Sequence, residues 1–435
     1  MLKTSRVGLP AISLAILIVI LFATCKKPAL TFKCTDSIGC VHIKPDEVLK
    51  IGVLQTLSGS GSSLGIDQVR GIELAIDECH GKLMGHSILL QIEDTGCTAE
   101  GGANAALKVV ADSQAVAVLG TTCSGAAVTA SKIVSDAGLV MISGNNSSPY
   151  LTSIAGKRAS YWQPGYFRTA SNEEYSGKVA AMFAFQKLGI RKAATINDGD
   201  AYTLALTDGF KTEFQYLGGE IVLSGSISKG DKEMQPVLTA VVKSGAQILF
   251  FPLFQPEGNL VLLQARKIPA FHNIVLMSDG ALLENSFIDS VGDDSKGMYF
   301  VGPFSPSGTP VEDMDKKFLL KYKLLPDNPY YLDAYDAASL LFHAIEAVAV
   351  QEPDGSLYIG RQVLRDMLYN TKEFKGITGS LTCNEFGDCA DPVFNILQMH
   401  DTSNKLKGLL SNIIFTHSAT DPDYYEKKDG LAQLQ

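Results

Sequence analysis

Short apolar runs alternate with longer amphipathic stretches through most of this chain. Runs such as AVAVL at 115–119 and ILFF at 248–251 are apolar at every position. Strands that are apolar on both faces belong in parallel sheets covered by helices on both sides. The pattern predicts strands at 49–57, 86–93, 115–120 and 138–142, separated by helices at 67–79, 99–112 and 124–137. It resumes with helix 173–188, strand 193–197, helix 202–217, strand 219–227, helix 233–243, strand 246–251, helix 257–267 and strands 273–278 and 297–302. The tail changes character, with helices near 311–324, 331–350 and 360–371 followed by strand-like pieces at 376–382 and 392–399. The predicted fold class is α/β: two doubly wound Rossmann-like lobes with interleaved chain crossovers. The expected division is 48–168 plus 304–380 for the first lobe, 169–303 plus 381–415 for the second, and a tail at 416–435.

Composition supports this picture. The chain has 435 residues, of which 46% are hydrophobic and 19% charged, so it exceeds one hydrophobic core and is too apolar for disorder. A net charge of −9 with no long basic run excludes nucleic acid as a partner. Lys3 and Arg6 precede an uncharged run at 11–23, about 20 Å of helix at ~1.5 Å per residue. That length suits a signal peptide, here 1–24, rather than a membrane span. Cys25 follows at once, and the segment resembles a bacterial lipobox, which implies lipidation of Cys25 and a membrane anchor at the extracytoplasmic face. The rival is an ordinary cleaved signal ending near Ala23. Residues 25–47 are polar and carry Pro28 and Pro45, as a tether would.

An exported chain meets an oxidising compartment, which permits disulfides. Cys34 with Cys40 and Cys383 with Cys389 are close pairs, each with a glycine inside the loop. Zinc is their rival, although zinc sites favour closer spacing and a second pair nearby. Cys97 and Cys123 both follow expected strands and could meet at a sheet edge. Cys79 is left over, on the apolar side of an expected helix.

Several catalytic signatures are absent. The glycines of Gly59, Gly61 and Gly65 are spaced G-x-G-x-x-x-G, not as a dinucleotide fingerprint. There is no HExxH and no GxSxG, and the serine-rich turn at 143–148 has no nearby His as base. No cofactor, no metal and no enzymatic activity are expected.

Ligands collect beyond the carboxyl ends of strands in open α/β sheets. Five such loops are rich in donors and acceptors: GTTCSG at 120–125, SGNNSSP at 143–149, DGDAY at 198–202, PLFQP at 252–256 and Asp279 with Gly280. The Ser124 hydroxyl at a helix start suits a carboxylate, and an acid on the other lobe suits a cation. Together they fit a zwitterion.

From Ile51 to about Gln398 the chain resembles the periplasmic leucine/isoleucine/valine-binding proteins of ABC transporters. The segments that carry the resemblance include IGVLQTLSGSGSSLG, RGIELAID, GTTCSGAA, GLVMISGNNSSPYLT, GYFRTA and SDGALL. CTDSIGCV and LTCNEFGDC match lipoprotein members with Cys loops near both ends. The resemblance implies a type I, Venus-flytrap fold that holds one amino acid between its lobes, acts as a monomer and delivers to a membrane permease. It implies a Cys97–Cys123 disulfide. It also implies that Ser124 holds the ligand carboxylate, that Asn145 offers its backbone carbonyl to the ammonium, and that Ser147 touches both groups. Tyr202 would cover the ligand and Asp279 would pair with the ammonium, one methylene shorter than the family's Glu. Leu64 and Phe254 stand where the family often has Tyr. A branched aliphatic amino acid is the implied ligand. A ligand-sensing receptor component, or a binder of amides or urea, is the alternative on the same fold.

Overall fold

The computed structural model describes residues 1–2, 32–59, 61–304 and 306–418. The expected signal peptide and Cys25 lie outside the described residues, as does most of the expected tail. Among the described residues no helix is long and apolar enough to cross a membrane.

From Cys34 onward the chain builds two sheets. In the first, strand Leu49–Gln55 lies between His86–Asp94 and Ala115–Gly120, followed outward by Val140–Ser143 and Tyr166–Arg168, all parallel. Strand Ala115–Gly120 feeds both faces, with Ala117 and Leu119 entering one apolar cluster and Val118, between them, entering the other. The second sheet runs Glu220–Ser226, Lys192–Asn197, Ile248–Phe250, Val275–Asp279 and Tyr299–Pro303 in parallel, then adds Val393–Gln398 and Ile413–Ser418 antiparallel. Leu249 faces one core of this lobe, while Ile248 and Phe250 face the other.

The lobes are interleaved. After Pro303 the chain returns to the first lobe, where helix Tyr331–Val348 packs against helix Ser62–Glu78. The segment holding Cys383 and Cys389 also belongs to the first lobe's core, and the chain reaches the second sheet only at Val393. The crossing therefore lies later than the expected 381. Expected strand 376–382 is a short hairpin, Phe374–Lys375 with Ser380–Leu381.

Other differences have local causes. Cys40–Ile43 falls inside the expected tether yet forms a strand antiparallel to Leu357–Gly360, because Val41 and Ile43 alternate into the first core. Residues 416–418, expected as tail, complete strand Ile413–Ser418. The expected helix 173–188 divides into an α-helix, Glu174–Met182, and a wider turn, Phe183–Lys187.

Disulfides join Cys34 to Cys40, Cys97 to Cys123 and Cys383 to Cys389, and Cys79 is a half-buried free thiol. The glycine-rich loop has a packing role. A Cβ on Gly65 would lie 1.9 Å from the Thr56 carbonyl oxygen, so the helix can approach the strand end only with glycine there.

Candidate functional site

The carboxyl ends of both sheets meet across a cleft enclosing about 490 Å³, part of it open to solvent. The first lobe supplies Leu64, Thr122, Ser124, Asn145 and Ser147 to its walls, and the second supplies Tyr202, Phe254, Gly280 and Ala281. Asp279 is fully buried directly behind this wall, with its neighbour Gly280 on the surface of the cleft. All seven residues singled out from the sequence thus gather at one place.

Local chemistry explains each position. Ser124 is the first residue of helix Ser124–Asp136, whose first-turn amides lack intrahelical acceptors. Its hydroxyl accepts from the Ser148 amide at 3.3 Å, which ties the helix start to the serine-rich turn. Asn145 donates its side-chain amide to the Thr122 carbonyl at 2.9 Å, joining the same two loops. On the other lobe Asp200 caps helix Ala201–Tyr216 by accepting from the Tyr202 amide at 2.9 Å. That cap sets the Tyr202 ring 5.2 Å from the Phe254 ring. The Tyr202 hydroxyl donates to Asp279 Oδ2, and Asp279 Oδ1 has no hydrogen-bond partner.

The sequence reading missed three residues. Glu173 lines the cleft, is 4% exposed, and accepts from the Ser147 hydroxyl through Oε2 at 2.8 Å. Burial pushes its carboxyl up to about 7. Asp333, in the first turn of helix Tyr331–Val348, also lines the cleft, and burial raises its carboxyl well above the usual range. Burial, and then the nearby Glu173 carboxylate, raise Asp279 well above its ordinary value. The third residue is Arg168, fully buried at the end of its strand. It pairs with Asp388 at 2.6 Å and donates to the carbonyls of Asn146 and Ser148 and to the Thr152 hydroxyl. It thereby braces the turn that carries Asn145 and Ser147. Arg168 stands in the segment GYFRTA, and Glu173 and Asp333 sit in charged stretches that read as ordinary helix starts.

The lobes are closed around the cleft. The Ser148 hydroxyl donates to the Ala201 carbonyl at 2.9 Å, and Tyr150 to Asp208 at 3.1 Å. Lys229 reaches from the second lobe to the Cys97 carbonyl at 3.1 Å while pairing with Asp200 at 3.0 Å. Among the described residues no group of three His, Cys, Asp or Glu is placed to hold a metal ion.

Comparison with known proteins gives this architecture its relatives. The chain is 26% identical over 351 residues to the Leu/Ile/Val-binding protein BraC3 of Rhizobium johnstonii, covering 80% of this chain and 90% of that one. It is 24% identical over 364 residues to the leucine-, isoleucine-, valine-, threonine- and alanine-binding protein of Pseudomonas aeruginosa, covering 82% and 92%. Among solved structures, the leucine-binding protein LivK of Thermotoga maritima matches with a TM-score of 0.73 at 20% identity, over 86% of this chain and all of that one. A benzoate complex of an ABC-transporter solute-binding protein from R. palustris matches with a TM-score of 0.69 at 23% identity, over 81% and 93%. These neighbours share the two-lobed type I fold. The model of the periplasmic binding protein family matches residues 48–386, and the chain belongs to that family.

Proposed function

We propose that the protein captures an amino acid between its lobes outside the cytoplasmic membrane and hands it to the permease of an ABC transporter. Binding, with no turnover, is its task, and lipidation of Cys25 would hold it at the membrane face. The observation that carries this reading is Asp279. It is fully buried, one carboxylate oxygen has no protein partner, and the other is held by a cleft-wall tyrosine. A buried carboxylate of this kind is stabilised by a cation that arrives with the ligand. Across the cleft, Ser124 and its helix start suit the ligand's carboxylate. Only the closed state lets both lobes touch one molecule, so the ligand favours closure. The names of the curated relatives suggest a branched aliphatic side chain, and Leu64 and Phe254 offer it an apolar wall.

The test is isothermal titration of the unlipidated protein with amino acids and with benzoate as an amine-free control. Asp279→Ala is expected to weaken amino-acid binding about 100-fold or more, the effect of truncating one partner of a buried charge pair. Unchanged affinity in that variant, or binding of benzoate alone, overturns the reading.

A further inference from the structure

The acidic groups on the cleft walls outnumber what a zwitterion requires. Asp279 answers the α-ammonium, and Ser124 with its helix start answers the carboxylate. Two more acids, Glu173 and Asp333, line the same cleft, and no Lys or Arg side chain does.

Neither extra acid is satisfied by the protein. Glu173 is over nine-tenths buried, and only its Oε2 takes a hydrogen bond, from Ser147. The cation whose charge acts on it, Arg168, is occupied by Asp388, two backbone carbonyls and Thr152. The Asp333 carboxylate has only its own backbone N–H to moderate its burial, while Asp336 adds further negative charge nearby. An acid in the first turn of a helix is common, since it complements the helix dipole. That does not account for its place on the wall of a closed cleft.

There is also room beyond Asp333. Ser171, Pro303, Tyr330 and Asp333 are shared walls between the cleft and a second space of about 860 Å³ beside the chain crossings, part of it open to solvent. A leucine side chain carries no group that could pair with the free oxygen of the buried Glu173 or with the half-buried Asp333 carboxyl. Groups buried in this way are stable when paired and costly when not.

We propose that the ligand is an α-amino acid whose side chain ends in a second cation, an ammonium or a guanidinium, seated by Glu173 and Asp333. The inference rests on the reading of the cleft as an amino-acid site, and it departs from the branched aliphatic ligand that the relatives' names suggest. The first cation fixes the α-carbon against Asp279, and the second selects the side chain.

Titration of the unlipidated wild-type protein with lysine, ornithine, arginine, leucine, isoleucine, valine and benzoate tests it. A basic amino acid is expected to bind at least about tenfold more tightly than any aliphatic one. Asp333→Asn is expected to shrink that ratio, and Asp333→Glu to restore part of it. Aliphatic binding as tight as basic binding overturns the inference and leaves the amino-acid reading standing. An equal loss for both ligand classes in Asp333→Asn also overturns it. Binding of benzoate with no amino acid overturns both. The wild-type panel needs no variant to fold.

Discussion

Glu173 and Asp279 influence each other through the cleft wall, and Glu284 is a third buried acid, close to the lobe boundary. Glu284 accepts from Ser63 of the first lobe, and burial pushes its carboxyl up to about 8. A carboxyl raised in the folded state binds a proton that the unfolded chain has already released. Its contribution to stability is complete below the ordinary carboxylate range and is lost as pH rises through the folded value. The ligand-free protein is therefore expected to lose melting temperature between about pH 4.5 and 8, with part of the loss near 7 from Glu173. Glu173→Gln should flatten that part of the profile, as differential scanning calorimetry across pH would show. A bound cation should flatten it as well, because it replaces the proton.

Arg168 shows how an element can be short in sequence and central in structure. Strand Tyr166–Arg168 has three residues and ends in a charge, so no hydrophobic pattern announces it. Its side chain is nonetheless fully buried, and it links the serine-rich turn to Asp388 in the second small disulfide loop. Arg168→Met leaves Asp388 unpaired and is expected to cost about 3–5 kcal/mol of stability in chemical denaturation. The long strands and helices were legible because each has a sustained period. Ala115–Gly120 matches its expected bounds, and helix Ser124–Asp136 differs by one residue. The short strand Cys40–Ile43 was not legible, since its partner Leu357–Gly360 lies hundreds of residues away and nothing local demands a pair. In the site, the residues legible from sequence were those in loops directly after strands. Glu173 and Asp333 were hidden because a helix-start acid reads the same whether it faces water or a cleft.

At the scale of the whole molecule the interleaving was legible from the change of rhythm after residue 303, but the last crossing was not. The Cys383–Cys389 loop is polar enough to read as either lobe, and its place is decided by contacts with Arg168. Closure depends on Gly125. A Cβ there would lie 2.4 Å from Asp200 Oδ2, and Asp200 is held in place by the Tyr202 amide and Lys229. Gly125→Val is expected to hold the lobes apart and weaken ligand binding about tenfold. Small-angle scattering should show no ligand-induced compaction in that variant.

Strand Cys40–Ile43, with the Cys34–Cys40 link before it, gives the two lobes different mechanical standing. It is clamped to the first lobe, so any load that enters the chain at Cys34 is carried into that lobe alone. The first lobe is then the fixed jaw. The second, whose covalent links to it are the crossings alone and whose other contacts are the hydrogen bonds that closure makes, is the jaw that swings, and a partner that senses closure from outside must follow the second lobe's displacement.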